Sequence, residues 1–195
     1  EEDVRILQEV KAEAESINRS CEEFGVEIYE VNPDGHCLFS AIADQLSLLE
    51  ILPKSSMPQF AITRRAAASY MRAHDDDFIP FIPSIEGEDA LDAATDTGLL
   101  TPEKFVEYCN AVASTALWGG EPEILALARK YEIKIVVVQA GPPAVVVHSP
   151  HPGVDEDPYG RAVRISYHRR MYGLGEHYNS LRPKTSTIDR LESLL

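Results

Sequence analysis

The 195-residue sequence is poor in positive charge: 18 Lys and Arg stand against 32 Asp and Glu, for a net charge of -14. Such a surface disfavours nucleic acid and anionic lipid as partners and fits a basic partner or plain solubility. Cysteine is scarce too, with three in all, no C-x-x-C pair and no secretory leader in the residues given. That pattern speaks for a reducing compartment, the cytoplasm or the nucleus, over a disulfide framework. Long apolar runs are also missing. The most apolar tract, IKIVVVQAGPPAVVVH, is interrupted at Gly141-Pro142-Pro143, so neither half approaches the roughly 20 residues that span a bilayer, and no membrane partner is expected. Internal repeats, low-complexity segments and a clear domain boundary are absent as well.

What is present fits one compact domain: the hydrophobic content is 44%, ordinary for a globular chain of this length. The chain opens on Glu1 inside a helical pattern, which suggests a piece of a longer chain. Val4, Leu7, Val10, Ala14, Ile17, Cys21 and Phe24 form the stripe of an amphipathic helix over about 3–24, ended by Gly25. A short strand, VEIYEV, leads to the turn Asn32-Pro33-Asp34-Gly35 and a helix carrying Cys37, Leu38, Ala41, Ile42, Gln45, Leu46 and Leu49. A further helix is predicted over 58–74 with Phe60, Ile62, Ala66, Tyr70 and Met71 inward, and two more begin at Thr101-Pro102 and Pro122. Residues 80–100 read as a long connection whose acidic cluster, Glu86, Glu88, Asp89, Asp92 and Asp96, is a solvated face.

From residue 133 the chain turns β-rich, in runs separated by Gly/Pro turns, so helices precede a largely antiparallel sheet in an α+β layout. The divisions expected are an N-terminal helix over 1–25, a catalytic domain over 26–182 and a tail over 183–195 that can form a last helix.

Cys37 stands where a Gly turn gives way to a helix, and helix N-termini favour the thiolate that attacks a carbonyl. Gly35 permits a sharp turn, and the amides of Gly35, His36 and Cys37 are the candidate donors to an oxyanion. Packing explains a lone cysteine before an apolar run equally well. Cys21 and Cys109 lie on helical stripes and read as core.

A thiol nucleophile needs a base. Six histidines are available. His36 adjoins the thiol and should point elsewhere; His74 ends a helix; His148 and His151, in HSPHP, read as a surface loop without further metal ligands. His177 differs, because in the strand EHYNSL it shares a face with Asn179. An amide oxygen beside an imidazole can hold its tautomer, as in Cys-His-Asn proteases. The 140 residues separating Cys37 from His177 also resemble the order of papain-like enzymes.

These residues resemble the ovarian tumour (OTU) family of deubiquitinases. Asp34-Gly35-His36-Cys37-Leu38-Phe39 with Ala41 is similar to its cysteine box, with His36 where many members carry Asn, and Glu176-His177-Tyr178-Asn179-Ser180 is similar to its histidine box. The segments RRAAASYMRAHDDDFIPFI and Trp118-Gly119-Gly120 followed by EILALA lie between them in the family's order, so the resemblance covers about 26–182. It implies a papain-like α+β fold with a central, mostly antiparallel sheet between helices, and a metal-free, cofactor-free hydrolysis of isopeptide bonds at the ubiquitin C-terminus. Cys37 would be nucleophile and His177 base. Either Asn179 or Asp34 would be the third catalytic residue, Asp34 through backbone geometry if its carboxylate accepts the Cys37 N–H. Trp118, Gly119 and Gly120 would help wall a channel for the ubiquitin Gly-Gly tail, although Trp118 reads equally well as core. Partners would be ubiquitin and polyubiquitin chains. The N-terminal helix is similar to the branch that carries a coiled coil, some of whose members associate with ribosomes. A ubiquitin-binding module with a dormant site is the alternative reading.

Overall fold

The computed structural model describes residues 2–82, 100–154, 156–172 and 175–185. Most of the 80–100 connection, its acidic cluster and the expected C-terminal helix lie outside these described residues. The helices are α1 (Glu2–Phe24), α2 (Cys37–Leu48), α3 (Gln59–Ala73), the single turn α4 (Asp75–Phe78), α5 (Pro102–Ser114) and α6 (Glu121–Lys130). Thr101 caps α5 as its sequence implies, its Oγ1 accepting the Lys104 N–H at 3.3 Å.

Five strands form one sheet: β1 (Val26–Tyr29), β2 (Ile135–Val138), β3 (Val145–His148), β4 (Val163–His168) and β5 (His177–Pro183). Their order is β1-β5-β4-β2-β3, and every pair is antiparallel except β2 with β4. The expected α+β architecture and mostly antiparallel sheet are therefore present. The large core lies on one face, where α2, α3, α5 and α6 bury Phe39, Ile42, Met71, Phe105, Cys109 and Leu127 against Ile135 and Ile165. On the other face α1 packs Ile17 and Cys21 on Val26, Val138 and Leu181. Cys21 and Cys109 are thus core, as expected, and burial raises each thiol pKa to about 11.

Two helical stripes differ from expectation. In α1 the apolar positions Val4 and Leu7 are exposed, while Glu13 and Ser20 are buried beside Ile17 and Cys21. In α3 the buried set is Thr63, Arg64, Ala67, Ala68 and Met71, with Phe60, Ile62, Ala66 and Tyr70 at its edge. Periodicity locates a stripe but does not show what covers it.

Polar contacts fix α2 over β5. The buried Gln45 donates from Nε2 to Ser180 Oγ (2.9 Å) and the Leu181 carbonyl (2.7 Å), and its Oε1 accepts the Arg164 N–H of β4 at 3.0 Å. Asp44 accepts the Ser180 hydroxyl at 2.6 Å and pairs with Arg182. His177 opens β5 and Cys37 opens α2, and the amide of Tyr178, next to His177, reaches the Cys37 sulfur.

Candidate active site

Cys37 is the first residue of α2 and is 7% exposed. The amides of Tyr178, Leu38 and Cys37 itself face the sulfur and favour its anion, but burial outweighs them and raises the thiol above its ordinary value. The helix start favours the anion as expected, and burial opposes it. Desolvation of a sulfur pressed against β5 is the larger effect.

Asp34 also acts differently from expectation. Its carboxylate accepts the His36 N–H at 2.7 Å, and the Cys37 N–H bonds the Asp34 carbonyl at 3.2 Å. The His36 and Cys37 amides are thereby both bonded within the turn, while the amides of Cys37 and Leu38 face the thiol. No hydrogen bond joins Asp34 to an imidazole among the described residues; its charge acts through space, raising both Cys37 and His177.

Asn179 touches the imidazole directly. Its Oδ1 accepts the Val31 backbone N–H at 3.0 Å and lies 2.9 Å from His177 Nε2, and its Nδ2 donates to the Tyr172 hydroxyl at 2.7 Å. A backbone N–H can only donate, so the amide orientation is fixed; Nε2 must then carry the hydrogen, leaving Nδ1 as the ring's acceptor. Burial lowers His177 below the ordinary imidazole value, with Asn179, Asp34 and Glu30 opposing it. Burial thus favours the neutral thiol on Cys37 and the neutral imidazole on His177.

Arg64 secures the cysteine turn. It is 1% exposed, with its guanidinium 4.1 Å from the Phe39 ring centroid. Nε donates to His36 Nδ1 (2.9 Å), Nη1 to the Val112 carbonyl (2.9 Å), and Nη2 to the carbonyls of Leu117 (2.8 Å) and Gly35. His36 stacks on Phe60 at 4.2 Å, so its ring points away from chemistry as expected. Gly35 lies so close to Ala116 that a Cβ would meet the Ala116 carbonyl oxygen at 2.0 Å.

The residues Trp118, Gly119 and Gly120 have three separate jobs. Gly119 is packing, because a Cβ there would meet Leu38 Cδ2 at 2.7 Å and the Phe39 ring at 2.8 Å. Gly120 is the N-cap of α6, its N–H accepted by Glu123 at 2.7 Å. Trp118 is 50% exposed and therefore not core. Its indole lies over Gly175, where a Cβ would sit 3.6 Å from the ring, so it reaches the segment entering His177.

His148, His151 and His168 make local contacts. His148 is not in a surface loop: it ends β3, is 9% exposed, and faces Glu121 at 4.0 Å. His151 is exposed beside Glu132. His168 is fully buried between Ser166 Oγ (2.8 Å) and Met171 Sδ (3.2 Å). Sequence reasoning missed Arg64, Glu13 and Tyr172, although Arg64 lies one turn after Phe60 and Glu13 lies between Val10 and Ile17 on the apolar stripes.

A thiol on a helix start and an amide-oriented imidazole on the adjoining strand are the parts a cysteine hydrolase needs. Comparison supplies the family. Residues 32–178 match the family model described as OTU-like cysteine protease. The chain belongs to that family. Among its relatives, Deubiquitinase OTUD6B of Mus musculus is 35% identical over 156 residues, 80% of this chain and 46% of that protein. OTU domain-containing protein 2 of Saccharomyces cerevisiae is 33% identical over 172 residues, 88% of this chain and 50% of that protein. The chain thus spans about half the length of the curated relatives it matches. The solved OTU domain of OTUD1 shares the fold, with a TM-score of 0.59 at 21% identity, covering 90% of this chain and 97% of that one.

Proposed function

We propose that the domain is a thiol-dependent deubiquitinase that hydrolyses the isopeptide bond between the ubiquitin C-terminus and a lysine. The observation that carries this reading is the buried Cys37 against β5 with His177 held by Asn179. Membership of the cysteine protease family supports the chemistry, and the name of the OTUD6B relative supports the substrate. His177 Nδ1 takes the thiol proton as sulfur attacks the carbonyl carbon. The amides at the start of α2 stabilise the tetrahedral oxyanion. The imidazolium then protonates the departing lysine amine, leaving a thioester. Water, deprotonated by the same nitrogen, releases ubiquitin and restores the thiol. Trp118 walls the cleft that takes the Gly-Gly tail. Polyubiquitin chains are the substrates that follow, in the cytoplasm or nucleus. The resemblance to the coiled-coil branch adds ribosome-associated substrates, for which turnover on isolated ubiquitinated ribosomes is the test.

The experiment is cleavage of a full panel of diubiquitin linkages by the chain and by Cys37→Ala. Turnover of at least one linkage, lost in Cys37→Ala with the thermal midpoint retained, is expected. Binding without turnover across the panel would favour the dormant-site reading and sink this one.

A further inference from the structure

The Asn179 amide that fixes the His177 tautomer is itself held by the Tyr172 hydroxyl. Tyr172 also lays its ring on the imidazole, with centroids 4.2 Å apart. Yet Tyr172 stands outside β4 and β5, in the connection between them. What holds that connection comes from the opposite end of the chain. Glu13, 7% exposed on α1, accepts three successive backbone N–H groups there: Arg169 on Oε1 at 2.8 Å, and Arg170 and Met171 on Oε2, both at 3.0 Å. A second tie is the contact of His168 with Met171 Sδ at 3.2 Å. A carboxylate only accepts, so it can satisfy three converging donors. A glutamine in its place would turn an NH2 toward one of them.

We propose that Glu13 and Tyr172 are positioning residues of the active site. The N-terminal helix, which precedes the span matched by the family model, fastens residues 169–171; this places the Tyr172 hydroxyl on Asn179, and Asn179 keeps the hydrogen of His177 on Nε2. α1 is thereby part of the catalytic apparatus as well as cover for the sheet. The inference rests on the reading of Cys37 and His177 as nucleophile and base.

The test uses the whole chain with Glu13→Gln, Tyr172→Phe and the double variant. Tyr172→Phe removes one oxygen and keeps the ring on His177, so it stands even if Glu13→Gln folds poorly. Two readouts apply: kcat and KM on a cleaved diubiquitin, and the pH profile of Cys37 alkylation by iodoacetamide, which requires no ubiquitin. Each single variant should lower kcat by about tenfold to a hundredfold with little change in KM. The double variant should be no worse than the more damaged single, because both act along one chain of contacts. Alkylation at neutral pH should slow in both and approach the unsubstituted rate at high pH, where the thiol ionises without help. Unchanged alkylation profiles in folded Tyr172→Phe and Glu13→Gln, or additive losses in kcat, would overturn the inference. Slowed alkylation in variants of a chain that cleaves no diubiquitin would support the positioning and overturn only the substrate.

Discussion

At the scale of single residues, proton placement governs the site. Burial raises Cys37 and lowers His177. A base must be neutral to act, so activity rises with pH through the His177 pKa, below the ordinary imidazole value of 6.5. The acid limb of kcat/KM should therefore have its midpoint under 6.5. Alkylation of the free chain should keep rising above pH 8, because the thiol lies above its ordinary value of 9.0; a flat profile from acid to alkaline pH would indicate a standing ion pair instead. Asn179→Ala removes the imidazole's orienting oxygen and leaves the Val31 N–H without its acceptor, and should lower kcat by roughly a hundredfold. Asn179→Asp keeps that oxygen and adds a charge favouring the imidazolium, so it should retain much more activity and move the acid limb upward.

At the scale of elements, α2 and the segment before α6 must meet without a gap. Gly119→Ala drives a methyl into Leu38 and Phe39 and should cost about 1–3 kcal/mol in urea unfolding, with activity falling as α2 shifts. Gly120→Ala finds no atom within 4 Å and should be tolerated, a contrast that the sequence Trp118-Gly119-Gly120 alone does not offer. Arg64→Lys cannot reproduce the donor fork that joins His36, Val112 and Leu117, and should destabilise the domain by roughly 3 kcal/mol or more. Strand alternation made the His177–Asn179 pair legible, since side chains two apart share a face. Spacing and turn chemistry likewise exposed Cys37. Glu13, Arg64 and Tyr172 were not legible, because a charged residue on an apolar stripe and a tyrosine in a connection acquire their roles only from distant partners.

For the whole molecule, the fold class was readable from helices followed by strands, whereas the crossing that brings α1 beneath residues 169–171 was not. Folding buries His168 completely and lowers its pKa to about 4 from 6.5. The unfolded chain thus binds a proton that the folded chain refuses between those values, so stability falls as pH drops from 6.5 toward 4. This group alone should remove about 3 kcal/mol across that window, following 1.36 kcal/mol per pKa unit. Urea unfolding at neutral and at acid pH reads the loss, and His168→Leu should flatten it.

The central claim is that Cys37 is the nucleophile of a site that receives the ubiquitin C-terminus. A ubiquitin carrying an electrophile at its C-terminus tests it most directly, with the adduct located by peptide mass spectrometry. The account predicts one ubiquitin per chain, attached at Cys37, with no adduct in folded Cys37→Ala. Attachment at Cys21 or Cys109, or labelling that persists in Cys37→Ala, would contradict it.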